Sequence, residues 1–224
     1  MDRHVLVFDV NETLLDLAGL DPEFERVFGS AAVRREWFSQ VLQTALVDVS
    51  TGVHHDFVAV GRGALEMVAA RRGMTLGDDD RQAILSGMRQ LPAHPEVPGA
   101  LARLHEAGFR MSTLTNSPPD TMGAQIENAG IAQYFHERLS VEHSGSLKPA
   151  AVVYHGAAER LGISVADIRL IAAHSWDVTG AIRAGCAAAF VARPGMVLDP
   201  LGETPDVVGR DLDEVADALL EGAG

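Results

Sequence analysis

Short apolar runs alternate with amphipathic stretches along most of the chain. Four short, largely apolar runs are typical of strands buried on both faces of a sheet. They lie at residues 5–8, 110–114, 168–172 and 187–191. Stretches with helical periodicity accompany them, at residues 99–107, 120–129, 150–161 and 176–184. The β-α-β-α order predicts an α/β fold, with a parallel sheet flanked by helices and a site at the carboxyl ends of the strands.

The segment from residue 17 to residue 91 breaks this alternation, because it contains helical patterns and no convincing strand. The four patterns lie at residues 21–28, 31–45, 54–72 and 78–90. Helices inserted after a first strand predict a small cap over the strand ends, and Pro92, Pro95 and Pro98 would stiffen the return crossing. We therefore predict a core domain at residues 1–16 and 96–224, and a helical cap at residues 17–95.

The composition excludes several classes of partner. The 224 residues are 47% hydrophobic, which suits one large domain or one domain with an insert. Eighteen Lys and Arg against 31 Asp and Glu give a formal charge of −13, which repels a polyphosphate backbone. We expect no nucleic-acid partner. A small anionic substrate remains compatible, provided that cations or helix N-termini are concentrated at its site.

The sequence also disfavours a membrane protein and a disulfide-stabilised protein. No uncharged run approaches the roughly 20 apolar residues that a transmembrane helix needs, and the first residues lack a signal-peptide pattern. Cys186 is the one cysteine, so it has no partner for an internal disulfide and no zinc-type spacing. We expect a cytoplasmic protein with no membrane partner.

Chemistry-bearing residues follow the predicted strands. Asp9 ends the first strand and Thr115 the second, Lys148 precedes a helix, and Asp177 opens a helix after a later strand. Taken alone, Asp9 is explained equally well as a turn-forming residue and as a functional one. Because parallel strands end at one edge of a sheet, these side chains together predict a nucleophile, a hydroxyl, a cation and a second carboxylate in one cleft.

In their order and spacing these segments resemble the four motifs of the haloacid dehalogenase superfamily. More narrowly, residues 114–118, 147–149 and 176–181, with Tyr154 six residues after Lys148, are similar to type II 2-haloacid dehalogenases. The resemblance implies a Rossmann-like parallel-sheet core with an inserted all-helical cap of the C1 type. It also makes a homodimer the default expectation.

The resemblance implies a covalent mechanism for short 2-haloacids such as haloacetate and 2-halopropionate. Asp9 would displace halide with inversion and form an ester that water hydrolyses. Lys148 would keep Asp9 ionised, and Asp177 would orient Lys148 or the water. The supporting residues would be the hydroxyls of Thr13 and Thr115, the backbone N–H groups around Val10, Asn11 and Asn116 for the substrate carboxylate, and Tyr154 as a partner of Asp177 or Lys148.

Two positions favour a reaction without metal or other cofactor. In the related phosphatases an acid stands two residues after the nucleophile, where this chain has Asn11, which cannot protonate an alkoxide. An acid often stands four residues before the last aspartate, where this chain has Ala173. A magnesium-dependent phosphatase of small phosphate esters is therefore the alternative, and a non-catalytic binding module with this fold is a third hypothesis.

Two departures from the type II pattern leave the halide contact open. The family usually has a cap arginine after a tryptophan, but Phe38 follows Trp37 here. Arg34 and Arg35 lie about one helical turn earlier and are either substitutes or ordinary surface arginines. His174 stands where the family often has asparagine, and three roles stay open for it: general base, halide contact or polar filler.

Overall fold

A computed structural model describes residues 5–222 of the chain. Its sheet has six parallel strands in the order β3-β2-β1-β4-β5-β6. The strands are β1 (Val5–Phe8), β2 (Met111–Thr115), β3 (Glu137–Ser140), β4 (Ile168–Ala172), β5 (Ala187–Val191) and β6 (Val207–Gly209). Together with the surrounding helices they form the Rossmann-like α/β core that the strand pattern predicts, and that fold class is confirmed.

Helices cover the sheet and form the insertion that follows β1. The insertion contains α1 (Asp21–Phe28), α2 (Val33–Thr51), α3 (Phe57–Arg71) and α4 (Asp78–Gly87), with 3-10 turns at Leu17–Leu20 and Met88–Gln90. The core helices are α5 (Val97–Glu106), α6 (Pro119–Asn128), α7 (Ala151–Leu161), α8 (Ser175–Ala184) and α9 (Leu212–Gly222). Across residues 5–222, no helix has both the length and the hydropathy that crossing a membrane requires.

The central position of β1 determines where the site lies. All four residues of β1 are buried, and Phe8 pairs with Thr113 on one side and with Ile171 on the other. Apolar side chains on both faces explain this burial, since helices cover both sides of a parallel sheet. The carboxyl ends of β1, β2 and β4 consequently meet at one edge of the sheet.

The insertion has its own apolar interior and also touches the core. Trp37 in α2 packs against Phe24 with tilted rings at 5.4 Å between centroids, and its indole nitrogen donates to the Gly61 carbonyl in α3 at 2.9 Å. The Gln125 side chain in α6 donates to the Met88 carbonyl at 2.9 Å. The domain boundaries at residues 17 and 95 stay a prediction.

Two strands and one helix were not predicted from the sequence. The edge strand β3 has two exposed charged residues at its start, and the edge strand β6 has only three residues, so neither contains a continuous apolar run. The helix α9 also lies outside the predicted elements. The incomplete burial of these short edge strands explains their weak sequence signal.

Candidate active site

The turn after β1 presents Asp9 beside Thr13. The Thr13 hydroxyl accepts a hydrogen bond from the Ala173 backbone N–H at 2.9 Å, which directs its own proton to Asp9 Oδ2 at 2.7 Å. The Val10 carbonyl accepts from the N–H groups of Leu14 and Leu15 and so closes the turn. Asp9 is 5% exposed, and this turn therefore holds a nearly buried carboxylate in a fixed orientation.

Lys148 joins the two carboxylates that the sequence placed at strand ends. Its Nζ donates to Asp9 Oδ1 at 2.7 Å, to Asp177 Oδ2 at 2.5 Å and to the Leu114 carbonyl at 3.0 Å. These bonds use all three ammonium protons. Lys148 is only 2% exposed, so the pairing is shielded from solvent. The structure brings Asp9, Lys148 and Asp177 together as the sequence predicts.

The buried charges shift one another's protonation. Burial alone would raise the pKa of Asp9, but the charge of Lys148 and the His174 hydrogen bond hold it well below its usual range. Burial opposes the charge on Lys148 as well, but Asp177 and Asp9 outweigh it and raise the Lys148 pKa. Burial and the neighbouring Asp9 charge raise the pKa of Asp177 despite Lys148. Asp9 is thus ionised and available as a nucleophile.

Tyr154 and Asn116 hold this pair in place. The Tyr154 hydroxyl donates to Asp177 Oδ1 at 2.6 Å, and burial raises the Tyr154 pKa so that the phenol keeps its proton. Of the two partners predicted for Tyr154, the contact with Asp177 is confirmed. The Asn116 side-chain oxygen accepts from the Lys148 backbone N–H at 2.9 Å. Asn116 therefore positions the lysine loop, while its predicted contact with substrate stays a prediction.

Asn11 belongs to a buried polar network at the boundary with the cap. Its amide nitrogen donates to Ser117 Oγ at 3.2 Å, and its amide oxygen accepts from Gln125 Nε2 at 2.9 Å. The Ser117 backbone N–H donates in turn to Thr115 Oγ1 at 3.2 Å. Gln125 is fully buried and was not predicted, and a polar residue beside Ile126 in a helical pattern was its only signal.

His174 lies between two carboxylates, and one of them was not predicted. Its Nδ1 is 3.2 Å from Asp9 Oδ2, and its Nε2 is 2.9 Å from Glu12 Oε2. Burial alone would lower the His174 pKa, but the hydrogen bonds to Asp9 and Glu12 raise it to about 9. In the free enzyme His174 is therefore the cationic partner of both carboxylates, while its role as general base, halide contact or polar filler stays a prediction.

The cap residues predicted at the site line two cavities between cap and core. Arg34 and Arg35 line a polar cavity of about 550 Å³ that reaches Glu12 and His174. Arg34 is buried and its Nε donates to Asp21 Oδ1 at 2.5 Å, whereas Arg35 is exposed. The two arginines therefore differ in their surroundings. A halide contact by either of them stays a prediction.

Phe38 separates the polar cavity from an apolar one. It lines both spaces, and the second has a volume of about 220 Å³. Trp37 and Phe57 are in its apolar wall, and Ser117 lies on its core side. An apolar space beside a charged one suits a small amphipathic ligand.

Arg193 is a further site-supporting residue that the sequence did not identify. Its Nε and Nη2 donate to the Thr13 carbonyl at 2.9 and 2.6 Å, and its Nη1 pairs with Glu96 Oε1 at 2.8 Å. An arginine just after a strand looks like an ordinary loop residue, so only the fold reveals that it fastens the Asp9 turn.

The residues around Asp9 do not form a good magnesium site. Mg²⁺ prefers six oxygen ligands in octahedral geometry. Lys148 Nζ already bridges Asp9 and Asp177, the Asn11 amide bonds Ser117 and Gln125, and the position four before Asp177 is an alanine. Within the described residues 5–222, no group of three or more His, Cys, Asp and Glu is arranged to hold a metal.

The fold and the site define a capped α/β hydrolase with a carboxylate at the end of its first strand. A family model described as a haloacid dehalogenase-like hydrolase matches residues 4–185. The chain therefore belongs to the haloacid dehalogenase-like hydrolases, and the family expected from the motifs is confirmed.

Two relatives with similarity over nearly the whole chain are dehalogenases by name. The chain is 26% identical to haloacetate dehalogenase H-2 of Moraxella sp., over 94% of this chain and 95% of the relative. It is 27% identical to (S)-2-haloacid dehalogenase H-109 of Pseudomonas putida, over 96% and 97% of the two chains. The fold superimposes with a TM-score of 0.91 on L-2-haloacid dehalogenase from Xanthobacter autotrophicus with covalently bound chloropropionic acid, at 24% identity and over 98% and 99% of the two chains.

Proposed function

We propose that this protein hydrolyses the carbon–halogen bond of short 2-haloacids through an ester on Asp9, without a metal. The observation that carries the proposal is the buried Lys148 ammonium between Asp9 and Asp177. It keeps Asp9 ionised and occupies the oxygens of Asp9 and Asp177 that a magnesium ion would need. The names of the full-length relatives support a haloacid as the substrate.

The first step is a displacement at carbon. A carboxylate oxygen of Asp9 attacks the halogen-bearing carbon from the side opposite the halogen, the carbon–halogen bond breaks, and halide leaves with the bonding electron pair. The configuration at that carbon inverts. Halide needs no proton to leave, which agrees with Asn11 at the position where an acid would otherwise protonate an alkoxide.

Water completes the reaction at the Asp9 carbonyl carbon. The water oxygen adds to that carbon, the bond between the acyl carbon and the ester oxygen breaks, and the 2-hydroxyacid departs. One proton is released overall, and the Asp9 carboxylate is restored. Asp177, which Lys148 and Tyr154 orient, is a neighbouring carboxylate that does not become esterified.

The size and walls of the cavities favour a small anion. The apolar wall around Trp37 and Phe57 suits a short carbon chain, and the cations Arg34 and Arg35 line the polar side. Buried polar groups at Thr115 and Asn116 lie at the β2 end of the site. A cytoplasmic location and a homodimer remain part of this proposal as expectations from the sequence.

Halide release tests the function directly. Chloroacetate, bromoacetate and both enantiomers of 2-chloropropionate are incubated with wild type and with Asp9→Asn, in the presence of EDTA. We expect halide from wild type and at least a 1,000-fold lower rate from Asp9→Asn, on the order of losses seen for other covalent nucleophiles. Absence of halide from all four acids would refute the proposal.

Isotope labelling tests the covalent step. In a single turnover in H₂¹⁸O, the oxygen gained by the product comes from Asp9, and the heavy oxygen enters the Asp9 carboxylate. Peptide mass spectrometry then locates the label on the segment containing residue 9. Direct attack by water on the substrate would instead put the label into the product.

A further inference from the structure

The apolar cavity beside Phe38 has more room than the shortest haloacids use. Its volume of about 220 Å³ is enough for several water molecules. In chloroacetate one carbon belongs to the carboxylate and the other is the reacting centre, so no further carbon reaches this cavity. Trp37, Val41 and Phe57 of the cap line it, and burying a longer carbon chain against these side chains is favourable.

The inner end of the cavity lies at the nucleophile turn. Ser117 lines it, and the side-chain nitrogen of Asn11 donates to Ser117 Oγ at 3.2 Å. Asn11 stands only two residues after Asp9. Phe38 lines both this cavity and the polar cavity that reaches His174, whose Nδ1 is 3.2 Å from Asp9 Oδ2. A substituent on the halogen-bearing carbon can therefore extend from Asp9 into the apolar cavity.

The charge at the cavity is opposite to that of the chain. Of the described residues that line it, the two charged ones are both arginines, Arg62 in α3 and Arg89 in the 3-10 turn at Met88–Gln90. The chain as a whole has a formal charge of −13. Within residues 5–222 neither arginine forms an ion pair, and both are exposed, so their N–H groups remain available to a ligand.

The turn that carries Arg89 is fixed to the core. The Asn128 side chain in α6 donates to the Arg89 carbonyl at 2.8 Å, and the Gln125 side chain in the same helix donates to the Met88 carbonyl at 2.9 Å. Gln125 is fully buried and also binds Asn11. The backbone at Arg89 is thus held by the same helix that contacts the nucleophile turn.

The backbone at Arg62 is fixed from within the cap. Its neighbour Gly61 accepts the indole hydrogen bond of Trp37 at 2.9 Å. Glu66, one helical turn after Arg62, is paired with Arg81 at 2.5 Å and is engaged there. Both arginines therefore extend from anchored backbone at the exposed side of the cavity.

We propose that the apolar cavity is a subsite for the side chain of a 2-halodicarboxylic acid, and that Arg62 and Arg89 bind its second carboxylate. This inference rests on the proposed function and narrows its substrate class. The halogen-bearing carbon lies at Asp9, the methylene groups pack against Trp37 and Phe57, and the second carboxylate meets the guanidinium groups. A guanidinium presents parallel N–H donors that match the two oxygens of a carboxylate.

A charged end of the substrate fits this cavity better than an uncharged one. An alkyl chain of the same length would cover part of the two guanidinium groups without offering them an acceptor. A second carboxylate pairs with both. It also needs local cations, because a dianion is otherwise repelled by a chain with a charge of −13.

Matched substrate pairs test the subsite. 2-Chloroglutarate and 2-chloroadipate are compared with their ω-monoamides, which have nearly the same shape but lack the second charge. Chloride release is measured against Asp9→Asn as the blank, because the free tail carboxylate can displace halide without enzyme. For at least one chain length we expect kcat/KM of the diacid to exceed that of its amide by about 10-fold, the effect of a charge-assisted hydrogen bond. High salt should reduce this ratio.

Arginine variants locate the contact. In the double variant Arg62→Gln and Arg89→Gln, KM for the preferred diacid should rise about 10-fold with little change in kcat, because the tail is bound equally in the ground state and the transition state. The ω-amide should be affected much less. Arg110→Gln is the matched control, since this exposed arginine directly precedes β2 at the other end of the strand, and it should keep the preference for the diacid.

Several results would overturn the inference. Equal or higher kcat/KM for the ω-amide at both chain lengths would do so, as would a diacid preference that persists in the double variant or is lost equally in Arg110→Gln. If the double variant does not fold, the wild-type ratio and its salt dependence decide. Chloride from monoacids without a preference for diacids would refute the subsite alone. Absence of halide from every monoacid and diacid would instead refute the proposed function.

Discussion

Phe38 on the cap contacts His174 on the core, with ring centroids 6.3 Å apart and an angle of 36° between the rings. These are the two positions at which the sequence departs from the type II pattern. Their contact makes the two departures direct neighbours and predicts that they are coupled. An arginine at position 38 would bring a second cation towards the imidazolium, whereas an aromatic ring offers it a π face.

The His174 environment predicts a pH-dependent stability. Its pKa is about 9 in the folded protein against 6.5 for an unperturbed histidine, so its contribution is fully present below about pH 6.5 and is lost as pH rises through 9. The difference in unfolding free energy between wild type and His174→Asn should shrink by on the order of 3 kcal/mol across that interval. Urea titrations at several pH values measure it.

The control for this experiment is His54→Asn, whose difference from wild type should be small at every pH. A His174→Asn difference that stays constant from pH 6.5 to pH 9 would contradict the assignment. Such a result would mean that Asp9 and Glu12 do not hold the histidine in its charged form.

Removing the Tyr154 hydroxyl should destabilise the protein. In Tyr154→Phe the buried Asp177 Oδ1 loses a donor at 2.6 Å, which costs about 1–3 kcal/mol. The kcat should fall, because Asp177 orients Lys148. Tyr134→Phe, at a half-buried position beside His105, is the matched control and should change little. Denaturant midpoints and initial rates are measured in parallel, and equal stability of Tyr154→Phe and wild type would contradict the role of the hydroxyl.

Gly180 in α8 lies so close to residues of other elements that there is no space for a side chain at this position. A Cβ atom there would lie 2.4 Å from Pro149 Cβ and 2.9 Å from the Tyr154 hydroxyl. Gly180→Ala should therefore displace the loop that carries Lys148, at a cost of about 1–3 kcal/mol and with a lower kcat. Gly123→Ala in α6, where a Cβ meets nothing within 4 Å, should instead raise stability by up to about 1 kcal/mol. Thermal unfolding compares the two, and similar midpoints would contradict the steric argument.

The residues that could be predicted are those whose position follows from a strand end. Asp9 and Asp177 follow buried strands of one parallel sheet, and that topology alone makes them neighbours. Glu12 could not be predicted, because a glutamate in a turn after a strand has the pattern of a solvated residue. Its contact with His174 depends on a left-handed backbone that no periodicity reveals.

Gln125 and Arg193 show the same limit in different elements. Gln125 lies within a helical pattern whose buried face is otherwise apolar, and its partners Asn11 and Met88 are distant in sequence. Arg193 follows β5 and reaches the Thr13 carbonyl 180 residues away. Such contacts depend on how the elements pack and cannot be inferred from local sequence.

The Phe38–His174 contact predicts that the two positions are energetically coupled. Phe38→Arg alone places a cation against the His174 imidazolium and should lower stability and kcat/KM. In the His174→Asn background that repulsion is absent, so the same substitution should be tolerated better and should recover part of the lost activity. The coupling free energy from the four proteins should be about 1 kcal/mol or more in favour of the double variant.

Phe38→Leu is the control, because it changes the ring without adding charge and should show much weaker coupling to His174→Asn. Both cycles are measured by urea unfolding and by halide release from chloroacetate. Additive effects of Phe38→Arg and His174→Asn would show that the cap and core positions act independently. Coupling would instead support a site in which His174 beside Asp9, and not an arginine at position 38 of the cap, supplies the positive charge.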